Sequence, residues 1–150
     1  MHRTALLLCA LFAVSFGCNC GIVPPNPHDN FCRSDFVGVL SIVSRQNATS
    51  TFPYITYVGR SPSSNTIFKS PNNFSNEITI VTQKDFATSS GACGVNWLEV
   101  GKAYLLSGRI SDKKLSLNVC LQVYADELDN VPESIKKPLQ NGTYKNNCAL

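Results

Sequence analysis

The chain is short of the groups that carry out catalysis. It has two histidines in 150 residues, and His2 falls in a leader expected to be removed, which leaves His28. No His-Glu-x-x-His, no Gly-x-Ser-x-Gly and no phosphate-cradling glycine loop occurs in it. That excludes the common zinc-hydrolase, serine-hydrolase and nucleotide-binding designs. A serine or cysteine triad on His28 would need a free nucleophile, yet the cysteines read as paired. Long apolar runs are missing beyond the first 14 residues, and spanning a bilayer takes about 20. Basic runs are missing too. Only Lys113-Lys114 and Lys136-Lys137 are adjacent, so no nucleic-acid partner is expected. Asp126, Glu127 and Asp129 read as exposed charges at the start of a helix rather than as a metal site or an acid pair. An enzyme is not expected. The sequence carries no internal repeat.

What is present points outward from the cell. His2 and Arg3 precede the apolar run Ala5 to Val14, and Ser15-Phe16-Gly17 sets small residues before Cys18. This reads as a signal peptide over residues 1–17, cleaved after Gly17. Removing it leaves 133 of the 150 residues, one domain able to bury a single core. The mature charge is then about +2. Cys9 leaves with the leader, so the seven cysteines of the chain become six: Cys18, Cys20, Cys32, Cys93, Cys120 and Cys148. An even count in an exported chain predicts three disulfides, in pairings that spacing does not fix. The sequons at Asn47, Asn73 and Asn141 are candidate N-glycan acceptors.

The apolar patterning is that of strands. Phe36 to Val43, Tyr54 to Val58, Ile78 to Thr82 and Ala103 to Ile110 are rich in β-branched and aromatic residues. Leu115 to Leu121 alternates, and Ser111 to Lys114 suits a hairpin turn between the last two. A short strand is expected near Ile67-Phe68 within the polar loop Gly59 to Asn76. One helical turn is expected over Asn30 to Asp35. Helical character follows Tyr124, cut into short pieces by Pro132 and Pro138. Cys18 to Pro27 reads as extended chain. The pattern suggests a small all-β barrel, which periodicity alone does not separate from a sandwich.

Cleavage after Gly17 makes Cys18 the first residue. A Cys-x-Cys pair grips a metal when reduced, but in an oxidising compartment disulfides are favoured. Two such bonds would tie the new terminus to the body. A fixed terminal amine and its neighbouring carbonyl form a five-membered chelate for a metal ion, although a terminus that is simply tied down needs no such role.

The ordered set Cys18-Asn19-Cys20, Pro24-Pro25-Asn26-Pro27 and Phe31-Cys32-Arg33-Ser34-Asp35 resembles the mature start of tissue inhibitors of metalloproteinases. Cys93-Gly94-Val95 and Tyr104-Leu105-Leu106-Ser107-Gly108 look like that family's Cys-Gly and Leu-Leu-x-Gly segments. The resemblance covers essentially the whole mature chain. It implies a mainly β, netrin-like domain over residues 18–148 with a tail at 149–150. The fold would be an OB-type five-stranded barrel with flanking short helices and three disulfides, Cys18–Cys93, Cys20–Cys120 and Cys32–Cys148.

It further implies a secreted, monomeric inhibitor of zinc metalloproteinases of the matrix type. Such a protein needs no cofactor of its own, since the zinc is supplied by the target protease. The Cys18 amine and carbonyl would chelate that zinc, and Asn19 would enter the adjoining specificity pocket. Cys20 and Gly21 would follow the cleft, with Ser90 and Gly91 as a second contact edge. Three departures stand out. Gly21-Ile22-Val23 precedes the prolines where the family usually has one residue, Asn19 replaces Thr or Ser, and Ser90-Gly91 replaces an acidic residue and Ser. The chain also ends past Cys148 without the six cysteines of the family's second domain, so functions of that domain are not expected. A non-inhibitory netrin-like extracellular binding module is the competing reading.

Overall fold

In a computed structural model the described residues are 20, 26–72, 74–84 and 93–148. Their first element is helix α1, Pro27–Arg33. Asn26 caps it by accepting a hydrogen bond from the His28 amide, and Pro27 opens it with its backbone already set for helix. The helix therefore starts three residues before the turn expected at Asn30. It stops at Ser34, whose backbone is extended and whose hydroxyl donates to the Asn30 carbonyl at 2.7 Å. His28 accordingly lies on a helix.

Six strands follow: β1 Phe36–Gln46, β2 Tyr54–Arg60, β3 Ile67–Lys69, β4 Glu77–Gln83, β5 Ala103–Ser111 and β6 Lys114–Leu117. They run in the order β2-β4-β6-β5-β1, and β1 pairs with β2 again, which closes a five-stranded barrel. The β4–β6 pair is parallel and the other four pairs of the ring are antiparallel. This is an OB-type barrel, and closure leaves few free strand edges. The short β3 lies against β1 outside the ring. Closure depends on β1 serving two partners. Phe36 to Ser41 pair with β5, Ser41 to Gln46 pair with β2, and a bulge between Ile42 and Ser44 bends the strand between them.

The unbroken apolar run of β1 now has its reason: both faces are covered. Phe36, Leu40 and Ile42 fill the barrel with Tyr57, Ile80, Leu106 and Leu115. Val37 and Val39 face outward into a second core with Phe31, Leu105, Val131, Ile135 and Leu139. The last two belong to helix α2, Glu133–Gln140, which keeps Pro138 in its final turn. Burying each contributes about 1.5–3 kcal/mol. A four-residue helix α3, Thr143–Asn146, completes the order.

The β5–β6 connection is a two-residue turn at Asp112 and Lys113, both at positive φ (50° and 60°), the backbone that matches strand twist in tight hairpins. The strand expected through Leu121 ends instead at Leu117. Asn118 accepts a hydrogen bond from the Cys120 amide at 2.8 Å and turns Val119–Leu121 into a 3-10 helix. An alternating pattern does not register this, because the cap is a side-chain effect.

Gly108 sits where β5 and β6 press closest. A Cβ built there would overlap the Ser116 carbonyl oxygen and stand 3.2 Å from Leu115 Cδ1. The nearest atom belongs to the β6 backbone, which leaves little room to yield. Gly108→Ala should cost about 3 kcal/mol, read as a lower urea midpoint with unchanged slope. A loss below about 0.5 kcal/mol would show that the strands move apart freely.

Candidate functional site

The site is best built outward from Ser107, buried in β5. Its amide donates to Gln122 Oε1 at 3.0 Å, and its carbonyl accepts from Gln122 Nε2 at 2.5 Å. The Gln122 side chain thus pairs with β5 as a strand backbone would. The Ser107 hydroxyl donates to the Leu121 carbonyl at 2.8 Å and accepts from the Val123 amide at 2.7 Å. Four bonds therefore hold the chain after Cys120 against the barrel. Buried polar groups satisfied in this way specify one arrangement, since any displacement orphans several of them.

The α1 segment is locked to the same place. Asn30 Nδ2 donates to the Gln122 carbonyl at 2.8 Å. The Asp35 amide donates to the Gly108 carbonyl at 2.9 Å, and Asp35 Oδ2 accepts from the Ile110 amide at 3.0 Å. Lys69 Nζ donates to the Phe31 and Cys32 carbonyls at 3.1 and 2.9 Å, satisfying the end of α1. Burial lowers the Lys69 pKa, and the Asp35 charge opposes that shift. Four residues of the segments that resemble the family, Ser34, Asp35, Ser107 and Gly108, thus act as internal clamps.

On the clamped turn sits Cys120, bonded to Cys20 with Cα atoms 5.2 Å apart. The neighbouring Val119 amide donates to the Cys93 carbonyl at 3.0 Å. Cys93 is fully buried and itself disulfide-bonded. Two anchor points, Cys20 and Cys93, therefore meet adjacent residues of one turn. The chain after Cys93 is fixed as well. The Val95 amide donates to Thr82 Oγ1 at 2.8 Å, and that buried hydroxyl donates to the Leu117 carbonyl at 3.1 Å.

Of the residues expected at the site, Cys20 is described; Cys18, Asn19, Gly21, Ser90 and Gly91 lie outside the described residues. So does one half of the expected Cys18–Cys93 pair. Cys32 is bonded to Cys148 with Cα atoms 5.4 Å apart, tying α1 to the chain after α3. Asn47 is exposed after β1, its Oδ1 accepting from Arg45 Nε at 3.0 Å. Asn141 is exposed after α2, its Oδ1 accepting from the Thr143 amide and hydroxyl. Asn73 lies outside the described residues.

Two of the three acids have internal partners, and Asp129 is exposed. Glu127 pairs with Lys102 at 2.6 Å, and Asp126 accepts from the Glu127 amide and from Asn130 Nδ2. Glu127, then Glu99, raise the Lys102 pKa. Sequence reasoning missed Gln122, Ser107 and Thr82 as positioning residues. Of these, only Ser107 fell within a segment that resembles the family, at the unspecified position of Leu-Leu-x-Gly.

The family model for tissue inhibitor of metalloproteinase matches residues 17–150. The chain belongs to this family. A search among curated proteins finds no match. As a tissue inhibitor of metalloproteinase the chain falls among proteins that inhibit proteases rather than catalyse, that engage metalloproteinases, and that are generally extracellular. No helix among the described residues is long and apolar enough to cross a membrane.

Proposed function

We propose that the chain is a secreted inhibitor of zinc metalloproteinases of the matrix type, acting through the backbone of Cys18. A catalytic protease zinc has three protein ligands and an open position holding the attacking water. The Cys18 amine nitrogen and carbonyl oxygen take that position and displace the water. Asn19 enters the adjoining pocket, Cys20 and Gly21 follow the cleft, and Ser90 and Gly91 add a second edge. The zinc remains the protease's own.

The observation that carries this reading is that Cys20 is bonded to Cys120 while Cys93 is hydrogen-bonded to the adjacent Val119. A disulfide from Cys18 to Cys93 would then fasten three consecutive residues at two points of one rigid turn. Rigidity in the free inhibitor lowers the ordering cost of association. The exposed positions of Asn47 and Asn141 support both as glycan acceptors of an exported protein.

Ammonium does not ligate zinc, so the amine binds only when neutral, and its reference pKa is about 8. Binding then releases a proton, and affinity rises with pH until the amine is neutral in the free protein. Below about pH 8, inhibition should weaken by up to about tenfold per unit. The measurement is an inhibition constant across pH, compared at each point with that of an inhibitor without titrating groups. A flat ratio between mildly alkaline and mildly acidic conditions would count against chelation and favour a module that binds without its terminus.

A further inference from the structure

At helix α1, three donor atoms converge. His28 and Cys32 lie one helical turn apart on α1, and Cys148 joins them through its bond to Cys32. The imidazole nitrogen and the two sulfurs all lie within 4.8 Å of one another, and each residue is partly exposed. His28 Nε2 stands 3.5 Å from Cys32 Sγ. That is the spacing of two ligands on one tetrahedral zinc, about 3.6 Å for Zn–N and Zn–S bonds of ordinary length. The other ring nitrogen, Nδ1, faces the Asp29 carboxylate at 3.8 Å. The Tyr144 ring flanks the imidazole, centroids 5.6 Å apart.

We propose that the Cys32–Cys148 bridge is the oxidised form of a zinc site. A dithiol reductant attacks one sulfur, the bridge opens to two thiols, and the reductant leaves as its own cyclic disulfide. Zinc then binds both sulfurs as thiolates and His28 Nε2 as neutral imidazole, releasing two protons and keeping water as fourth ligand. Two thiolates and an imidazole suit zinc over magnesium or calcium. The ion replaces the covalent bond with another link between α1 and the chain after α3, so the protein exchanges a disulfide staple for a metal staple as the redox state changes. The site uses none of the residues assigned to protease binding.

The test is limited reduction of the whole protein with dithiothreitol, followed by alkylation with and without zinc chloride and mass mapping of each cysteine. Zinc should slow alkylation of Cys32 and Cys148 by about tenfold or more while leaving Cys20, Cys93 and Cys120 unaffected. His28→Gln keeps both thiols and should lose most of that protection. Far-ultraviolet circular dichroism should show the barrel intact after this bridge opens. Equal rates with and without zinc, protection that survives His28→Gln, or collapse of the fold on opening the bridge would each overturn the proposal.

Discussion

One alanine placed ahead of Cys18 should abolish inhibition, weakening it by on the order of a thousandfold, about 4 kcal/mol. The extension converts the proposed ligand from an amine into an amide nitrogen, which has no basic lone pair to offer a metal. It also moves the new amine one residue away and leaves a backbone group where the displaced water stood. Stability should not follow. The barrel is closed by its own strand ladders, and the turn carrying Cys120 is held by Ser107 and Gln122. An inhibition constant against a zinc protease and a urea midpoint, taken on the same sample, separate the two effects. Unchanged inhibition would remove the role given to Cys18. A lowered midpoint would mean that the extension disturbs the fold.

The second large effect concerns the bridges. Replacing Cys20 and Cys120 together by serine opens a link spanning 100 residues of sequence. The chain-entropy model sets the loss at about 4–5 kcal/mol, and measured losses commonly fall nearer 3. Inhibition should fall with it, because residue 20 is then no longer held at the turn. Replacing Cys32 and Cys148 by serine opens a link spanning 116 residues and should cost similar stability. That bridge ties α1 to the chain after α3, and hydrogen bonds from Asn30 and Asp35 still hold the α1 segment when it is open, so inhibition measured at a temperature where both variants are folded should persist. Equal inhibitory losses in the two double variants would show that the bridges act through stability alone.

The strands that run through the core were legible because burial leaves a compositional mark. The β-branched runs of β1, β2, β4 and β5 and the polar break between β5 and β6 all reappear in the structure. Closure was not legible. It rests on the bulge between Ile42 and Ser44 and on the parallel β4–β6 pairing, and both are matters of register between segments far apart in sequence. Local side-chain caps also escaped the patterning. Asn26 starts α1 early and Asn118 ends β6 early, each by a single hydrogen bond. At the site, the cysteines, the Ser34-Asp35 pair and the Leu-Leu-x-Gly segment were readable as residues but not as parts. Gln122 gave no signal at all, since a buried amide pairing with a strand looks in sequence like any surface glutamine.

The most direct measurement is X-ray absorption at the zinc edge of a target protease with and without the inhibitor. If Cys18 chelates the zinc, the metal loses its water and gains a nitrogen at about 2.0–2.1 Å, with an oxygen beside it from the same residue. A zinc that keeps its water and its three protein ligands in an inhibited complex would contradict it.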